Sequence, residues 1–230
     1  MSFQHAPEIW AEYPELVAGA LFATGIHPDT DTGAAVARYA AVAMDRLADG
    51  SESELPEVQA WRRAFARMGL RPTQYRCASE SLLRRLRKDG ALPHIHPLVD
   101  LCNAISVAYA IPVAALDVDR IAGRLEVRHA AGDERYLTFG GEIEQPEPGE
   151  VTFVDAAGQA HARRWTNRQS GHSAVRKETG AVLIVAEAMH ETARDDVARL
   201  LTALTDELDE VQATALLTPA ARRFEFPGSP

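Results

Sequence analysis

The spacing of apolar residues changes once along this 230-residue chain, and the change restricts the folds open to it. Up to about residue 110, apolar residues recur mostly at the three- and four-residue spacing of amphipathic helices. Beyond that point, short segments alternate between apolar and polar residues, as strands do. Helices and hairpins that are segregated along a chain favour an α+β fold over a doubly wound parallel sheet. We therefore predict the α+β class.

The first half is predicted to hold one buried strand and four helices. An apolar run at 16–24 is typical of a buried strand. Ser79 is expected to cap the third helix, Gly90 to end it, and Pro97 to lie in the first turn of the fourth. The four helices are predicted at 32–48, 54–68, 79–88 and 98–109.

The second half is predicted to hold two hairpins, a buried strand and a long helix. Residues 1–217 are expected to form one domain, in which an N-terminal helical extension (1–69) packs on the rest. Residues 218–230 are expected to be a flexible tail. The predicted elements are 124–129 with 135–139, 151–154 with 160–165, 181–186 and 191–211.

Basic residues are concentrated in two short windows of an acidic chain. The formal net charge of −9 by itself argues against nucleic-acid binding. Yet residues 62–88 carry +8 and residues 161–177 carry +5, so the rest of the chain carries −22. Two interpretations stay open. The windows are either two solvated element faces or a local anion-binding patch on a body that repels nucleic acid elsewhere.

Composition indicates a reducing, aqueous compartment. No run approaches the ~20 apolar residues of a membrane helix. Residues 1–5 lack the basic-then-apolar layout of a signal peptide. Two cysteines, Cys77 and Cys102, are too few for a disulfide framework. We expect a cytoplasmic protein that has no membrane partner and keeps both thiols in its core.

The segment Arg-Arg-Trp-Thr-Asn-Arg-Gln (163–169) combines basic, aromatic and amide side chains. On an alternating strand, Trp165 and Asn167 would face one way, and Arg164 and Arg168 the other. Guanidinium, indole and amide groups bind phosphates, stack on bases and hydrogen-bond to polar ligands. The alternative is an edge strand decorated for solubility, for which an exposed tryptophan is poorly suited.

Two histidine segments offer other chemistry. His94, His96 and Asp100 have the residue types of a zinc site, but prolines bound the segment and no further ligand pairs with it. His172 beside Ser173 has the residue types of a nucleophilic pair, which sequence neighbours rarely orient correctly. We therefore predict no metal and no cofactor, and regard His172 as a polar group of a binding site.

Three blocks between residues 70 and 190 form a recognisable pattern. They are Pro-Thr (72–73), Ser-Leu-Leu-Arg-Arg-Leu (81–86) and Pro-Leu-Val-Asp-Leu-Cys-Asn (97–103); Pro112 with Leu-Asp-Val-Asp-Arg-Ile-Ala-Gly (116–123); and His-Ser (172–173) with Glu-Thr (178–179). Together they resemble the tRNA-editing domain of the phenylalanyl-tRNA synthetase beta subunit, and especially its free-standing relatives.

The resemblance implies a layered β/β/α fold and a site that hydrolyses the ester between a wrong amino acid and the 3′ end of a tRNA. Asn103 falls where that module has a pocket asparagine. Two other pocket positions differ, because the family's histidine is Ala114 here and its glutamate is Gly171. The basic segment 163–169 is similar to the free-standing members. The synthetase's pocket chemistry is therefore not inherited intact.

Two functional hypotheses follow. The first is a tRNA-binding, trans-acting hydrolase of mischarged aminoacyl-tRNA, whose activated ester requires only a positioned water and a stabilised oxyanion. The second is a non-catalytic module that binds tRNA, an amino acid or a nucleotide. In the first hypothesis the catalytic set is Asn103, Gln169 and His172. The ligand-binding set, which would contact phosphates and bases, is Arg71, Arg76, Arg164, Trp165, Asn167 and Arg168.

Overall fold

A computed structural model describes residues 1–227, in which two β-sheets and a layer of helices stack on one another. Within those residues the helices are α1 (Pro7–Glu12), α2 (Gly33–Ala48), α3 (Pro56–Arg67), α4 (Ala78–Asp89), α5 (Pro97–Tyr109) and α6 (Ala193–Glu207). The strands are β1 (Ser2–His5), β2 (Val17–Thr24), β3 (Val113–Asp117), β4 (Arg124–His129), β5 (Arg135–Leu137), β6 (Ile143–Glu144), β7 (Val151–Asp155), β8 (Gln159–Arg163), β9 (Arg168–Gln169), β10 (Ala181–Ala188), β11 (Val211–Leu217) and β12 (Arg223–Glu225). Short 3-10 helices lie at Glu52–Glu54 and Val118–Arg120.

The strands divide into a larger and a smaller sheet. The larger sheet has the order β12-β1-β4-β7-β8-β5-β6, with β9 paired to β8. The smaller sheet has the order β11-β2-β10-β3 and is antiparallel throughout. In the larger sheet β1 runs parallel to β4, and β5 runs parallel to β8. All eight residues of β10 are buried, so the centre of the smaller sheet is covered on both faces.

Each face of the smaller sheet packs against a different layer. Leu183 of β10 belongs to the core between the two sheets, together with Phe3 and Phe153 of the larger sheet. Its neighbour Ile184 belongs to a second core, which includes Ile105 of α5 and residues of α6. Because successive strand residues point to opposite faces, the layers follow the order sheet, sheet, helices. The layered α+β prediction is confirmed.

The strongly periodic segments were predicted correctly. The predictions of strands β2 and β10 and of helices α2, α3, α4 and α5 are confirmed to within a few residues. Gly90 ends α4 with φ of 72°. Ser79 is not the cap of α4, because the helix begins at Ala78 and Cys77 precedes it. The last helix ends at Glu207 rather than near 211, because Val211 already begins β11 on the edge of β2.

The first predicted hairpin is wrong. β4 lies between β1 and β7, and β5 pairs with β6 and β8, so the two strands do not form a ladder with each other. The loop between β4 and β5 is held instead by contacts of Glu134. The buried carboxylate of Glu134 accepts hydrogen bonds of 2.9 Å from the amides of Ala131 and Gly132, and Arg128 lies 2.7 Å from it. The second hairpin, formed by β7 and β8, is confirmed.

Both ends of the described chain join the larger sheet. The N-terminal ammonium of Met1 donates to the carbonyl of Phe226 at 2.9 Å, and β12 pairs with β1. The flexible-tail prediction is therefore wrong for residues 223–226, and its last part, 228–230, lies outside the described residues. The predicted N-terminal extension supplies strands to both sheets as well as helices.

Both cysteines are buried, as predicted. Burial raises the pKa of Cys77 to about 11 and that of Cys102 to about 12, so both thiols stay protonated near neutral pH. Among residues 1–227, no helix combines the length and the apolar character needed to span a bilayer.

Candidate functional site

A cavity of about 70 Å³ lies between the two sheets, bounded by β3 and β10 on one side and by β7, β8 and the turn after β8 on the other. Its walls are mostly apolar and include Leu116, Phe153 and Val185. The polar side chains that line it include His161, Asn167, Gln169 and Glu187. A volume of this kind is about five times what a single water needs. The cavity therefore accommodates a group of only a few heavy atoms.

Residues 164–167 form a turn between β8 and β9, so the prediction of one alternating strand over 163–169 is wrong. β8 ends at Arg163, and the next two residues take left-handed backbone, with φ of 48° at Arg164 and 58° at Trp165. The carboxylate of Glu150 holds the turn. It accepts the amide of Arg164 at 2.9 Å and two hydrogen bonds, of 3.0 and 2.8 Å, from the Arg163 guanidinium. Arg163 is buried and serves the fold rather than a ligand.

Trp165 is buried completely, which corrects the expectation of an exposed indole. The turn directs the indole between the sheets, where its ring lies edge-on to Tyr13 at 4.9 Å and to Trp61 at 5.1 Å. Its Nε1 donates a hydrogen bond of 2.9 Å to Oε1 of Glu187. Trp165 is therefore a wall of the cavity, and it does not present a face for base stacking at the surface.

Glu187 is a buried carboxylate of β10 that the sequence interpretation missed. Its Oε1 accepts hydrogen bonds from Trp165 Nε1 at 2.9 Å and from His5 Nε2 at 2.6 Å, while its backbone carbonyl accepts from Trp61 Nε1 at 3.2 Å. The predicted strand ended at Ala186 and so left out Glu187 and Ala188 of β10. A carboxylate that directly follows a wholly apolar run is costly to bury unless it is hydrogen-bonded. The position of Glu187 in the sequence was therefore the signal that could have identified it.

Two amide side chains, one in the turn and one in β9, are fixed at the cavity. Gln169 Nε2 donates to the carbonyl of Ala115 at 2.8 Å, which links β9 to β3 across the sheets. Asn167 Nδ2 donates to the carbonyl of Arg76 at 2.8 Å. Each amide thus uses its NH2 group on backbone and keeps its carbonyl oxygen as an acceptor. Both residues line the cavity.

His161 connects the cavity to a buried polar chain. Its Nδ1 lies 2.8 Å from Ser173 Oγ, and its Nε2 lies 3.2 Å from Asp155 Oδ2. Burial acts to raise the pKa of Asp155, but the close contact with His161 and the hydrogen bonds from backbone amides outweigh it and hold that pKa at about 2. Ser173 is fully buried, so this chain joins β8 to the following loop. The partner of Ser173 is therefore His161 and not the neighbouring His172.

His172 lies next to the cavity without lining it. Its ring is 5.7 Å from that of His161, in an edge-on arrangement. Burial lowers the pKa of His172, and the proximity of His161 lowers it further. The imidazole is therefore mainly neutral near pH 7.

The four predicted arginines lie in different surroundings. Arg168 lines the cavity; its guanidinium lies 5.5 Å from the ring centroid of Tyr136 and 3.4 Å from Glu144. Arg164 lies over the ring of Tyr75 at 4.9 Å.

Arg71 is exposed, and Arg76 donates to the carbonyl of Thr73 at 2.8 Å. Part of the first basic window is neutralised within the fold, because Arg62 and Arg76 contact the buried Glu80 at 2.6 and 3.4 Å.

Asn103 does not reach this site. It lies on α5, whose buried residues pack on the face of the smaller sheet opposite the cavity. Among the predicted residues, the structure brings Trp165, Asn167, Arg168 and Gln169 to one cavity.

The two histidines that were considered as zinc ligands lie at the N-terminus of α5, where His96 is the N-cap. His96 Nδ1 accepts the amide of Leu98 at 3.2 Å. Asp100 accepts the amide of Ile95 at 2.8 Å and contacts His94 Nδ1 at 2.5 Å.

Comparison with known proteins identifies the family. A family model described as the B3/4 domain matches residues 60–209, about two thirds of the chain. The chain belongs to the B3/4 domain family. Among solved structures it is similar to an N-terminal fragment of the phenylalanyl-tRNA synthetase beta subunit from Pyrococcus horikoshii, with 9% identity and a TM-score of 0.45 over 88% of this chain. The match covers 48% of that fragment. No curated protein matches the sequence.

The two positions at which the sequence was expected to depart from the family's pattern have different surroundings. Ala114 lies on β3 and lines the cavity with a methyl group. At Gly171 a Cβ atom would lie 3.0 Å from the carbonyl oxygen of Thr138, so a side chain there requires its surroundings to shift by a few tenths of an ångström.

Proposed function

We propose that this protein binds the 3′ end of aminoacylated tRNA and hydrolyses the ester of a mischarged amino acid. The observation that carries the proposal is the partly open cavity of a B3/4 domain, lined by fixed amides and a buried carboxylate, with Arg168 at its wall and Arg164 in the adjoining turn. Guanidinium groups suit the phosphates of a tRNA terminus. Since tRNA charging is cytoplasmic, we also propose that location.

The reaction requires no nucleophilic side chain. A water oxygen attacks the ester carbonyl carbon, and the carbonyl oxygen carries the negative charge of the tetrahedral intermediate. The intermediate collapses by breaking the bond between the carbonyl carbon and the ribose oxygen, which takes up the proton that the water has lost. The products are the free amino acid and the uncharged tRNA. The protein has to position the water and stabilise the oxyanion.

Gln169 is the group best suited to orient the water, because Ala115 fixes its NH2 group and leaves its carbonyl oxygen as an acceptor. Thr166 lines the same cavity, and its buried hydroxyl has no hydrogen-bond partner among residues 1–227. That hydroxyl is the donor we assign to the oxyanion. His172 acts at a distance, through its contact with His161. Asn103 has no role in this arrangement.

The test is deacylation of tRNAs that carry each of the amino acids. We expect faster hydrolysis of at least one aminoacyl-tRNA, and a loss of about 100-fold in Gln169→Ala, as when one positioned group is removed from an oxyanion site. Asn103→Ala is the matched control, because this amide lies across the smaller sheet, and we expect it to keep the wild-type rate. No acceleration for any aminoacyl-tRNA, together with no tRNA binding at low salt, would reject the proposal.

A non-catalytic binding module is the second candidate, and the close approach of the Thr138 carbonyl to Gly171 favours it. A site that has lost the family's histidine and glutamate can keep its affinity without keeping the reaction. In that case tRNA or a free amino acid raises the melting temperature, because a ligand that binds only the folded state stabilises it, while no aminoacyl-tRNA is hydrolysed.

A further inference from the structure

We infer that Glu187 binds the ammonium group of the aminoacyl moiety, and that the cavity around it admits only amino acids with small side chains. The identity of the ligand as an aminoacyl ester rests on the proposed function. The ammonium site itself rests on the charge, burial and dimensions of the cavity.

Two groups hold the carboxylate of Glu187, and both contact the same oxygen. Trp165 donates to Oε1 through its indole N–H at 2.9 Å. His5 Nε2 lies 2.6 Å from the same oxygen. The second oxygen of Glu187, Oε2, takes no part in either contact.

The cation that lines the same cavity is engaged elsewhere. Arg168 lies over Tyr136 and contacts Glu144 at 3.4 Å. A buried carboxylate oxygen that lacks a donor is an unfavourable arrangement, and a ligand N–H relieves it. Among residues 1–227, no group donates to the second oxygen of Glu187, Oε2. That oxygen is the acceptor we assign to the ammonium group.

The neighbouring acceptors suit a group with several N–H donors. An ammonium donates three hydrogen bonds. Besides Glu187, the cavity offers the amide oxygens of Gln169 and Asn167, whose NH2 groups are already bonded to backbone. A neutral hydroxyl in the same place donates only one hydrogen bond to these acceptors.

The size of the cavity limits the side chain of the amino acid that can bind there. Its volume of about 70 Å³ suits roughly five water-sized groups, as in a glycyl, alanyl or seryl moiety. The walls do not retreat easily, because Leu116, Phe153 and Trp165 are all buried in the core between the sheets. Close-packed cores resist the insertion of extra atoms. Aromatic aminoacyl groups are therefore excluded.

The test uses three small amides and no tRNA. L-alaninamide carries the ammonium, L-lactamide replaces it with a hydroxyl, and L-phenylalaninamide keeps it but adds a ring. By ligand-observed NMR we expect alaninamide to bind about 10- to 100-fold more tightly than lactamide, the equivalent of one hydrogen bond to a charged group, and phenylalaninamide not to bind. Equal affinity for lactamide, binding of phenylalaninamide, or no binding of alaninamide would overturn the inference.

Two variants test whether Glu187 causes the preference for alaninamide over lactamide. Glu187→Gln keeps an acceptor for Trp165 and His5 but removes the charge, so we expect it to lose the preference for alaninamide over lactamide. Glu142→Gln, at an exposed glutamate, is the control and should keep that preference. If Glu187→Gln does not fold, the comparison of the three amides on the wild-type protein still decides whether the cavity binds an ammonium group. Alaninamide binding without any deacylation would keep this site and reject the hydrolase, whereas deacylation without alaninamide binding would do the reverse.

Discussion

The indole Nε1 of Trp165 lies 2.9 Å from Oε1 of Glu187, and this hydrogen bond joins the turn after β8 to the central strand of the smaller sheet. We expect Trp165→Phe to lower the free energy of unfolding by roughly 1–3 kcal/mol, because a buried acceptor loses a partner while an aromatic ring is kept. Urea denaturation measures the loss.

Trp10 provides the matched control for that substitution. Its indole is also buried, but Trp10 Nε1 has no partner among residues 1–227. Trp10→Phe removes a donor that forms no bond, so its loss should be smaller than that of Trp165→Phe. Equal losses in the two variants would mean that ring size, and not the bond to Glu187, determines the effect.

Gly171→Ala tests whether the backbone at this position leaves room for a side chain. A Cβ atom there meets the Thr138 carbonyl oxygen at 3.0 Å, so we expect destabilisation of about 1–3 kcal/mol from overpacking. In the control Gly180→Ala, no atom lies within 4 Å of the new Cβ, and the change should be close to neutral. A Gly171→Ala variant as stable as wild type would show that the backbone yields easily.

Arg163 links two glutamates from inside the fold. It contacts Glu144 at 2.6 Å and Glu150 at 2.8 Å, and its side chain is only 6% exposed. Arg163→Ala leaves Glu150 buried without its cation, so we expect a loss of about 3–5 kcal/mol in the free energy of unfolding. Arg135→Ala removes an exposed arginine and should stay within about 0.5 kcal/mol of wild type. Chemical denaturation of the pair would contradict this view if the two losses were similar.

Asp155 should contribute to the acid sensitivity of the fold. Its pKa is about 2 in the folded protein and roughly 3.9 in an unfolded chain, so folding favours its ionised form. The stabilisation is present above about pH 4 and is lost as the pH falls towards 2. As the pH falls over that interval, we expect the free energy of unfolding to decrease by about 2 kcal/mol less in Asp155→Asn than in wild type. Asp133→Asn, at an exposed carboxylate, should follow the wild-type curve, and denaturation at each pH tests both.

Arg168 should contribute one phosphate contact if the proposed function is right. For Arg168→Ala we expect weaker tRNA binding and a salt dependence whose logarithmic slope falls by about 0.7–0.9, the value for one released counterion. Arg194→Ala, on the outer side of α6, should leave both unchanged. Equal slopes for the Arg168 variant and wild type would place the phosphates elsewhere.

Local periodicity was enough to predict the elements that build the core. The apolar faces of α3, α5, β2 and β10 follow from spacing alone, because each of these segments is buried along a regular stripe or run. Partner choice between strands was not predictable in the same way. β4 and β5 alternate between apolar and polar residues, as the strands of a hairpin do. β4 nevertheless pairs with β1 and β7, which are distant in sequence.

The site was less predictable than the fold because buried acceptors decide its geometry. Glu150, thirteen residues before Arg163, bends the basic segment out of the strand, and Glu187 draws the indole of Trp165 inward. Neither carboxylate was linked to the segment by spacing or composition. The amides of Asn167 and Gln169 do line the cavity, because the turn that hides the indole exposes them to it.

All three tryptophans of the chain are buried, and one of them is a wall of the cavity. The protein therefore contains its own optical probe. A ligand that binds Glu187 perturbs the carboxylate that accepts the indole N–H of Trp165 and so changes the emission of that indole, whereas Trp10 is not among the residues that line the cavity in the part of the chain that the structure describes. Occupancy of the site can be followed by intrinsic fluorescence in unlabelled protein.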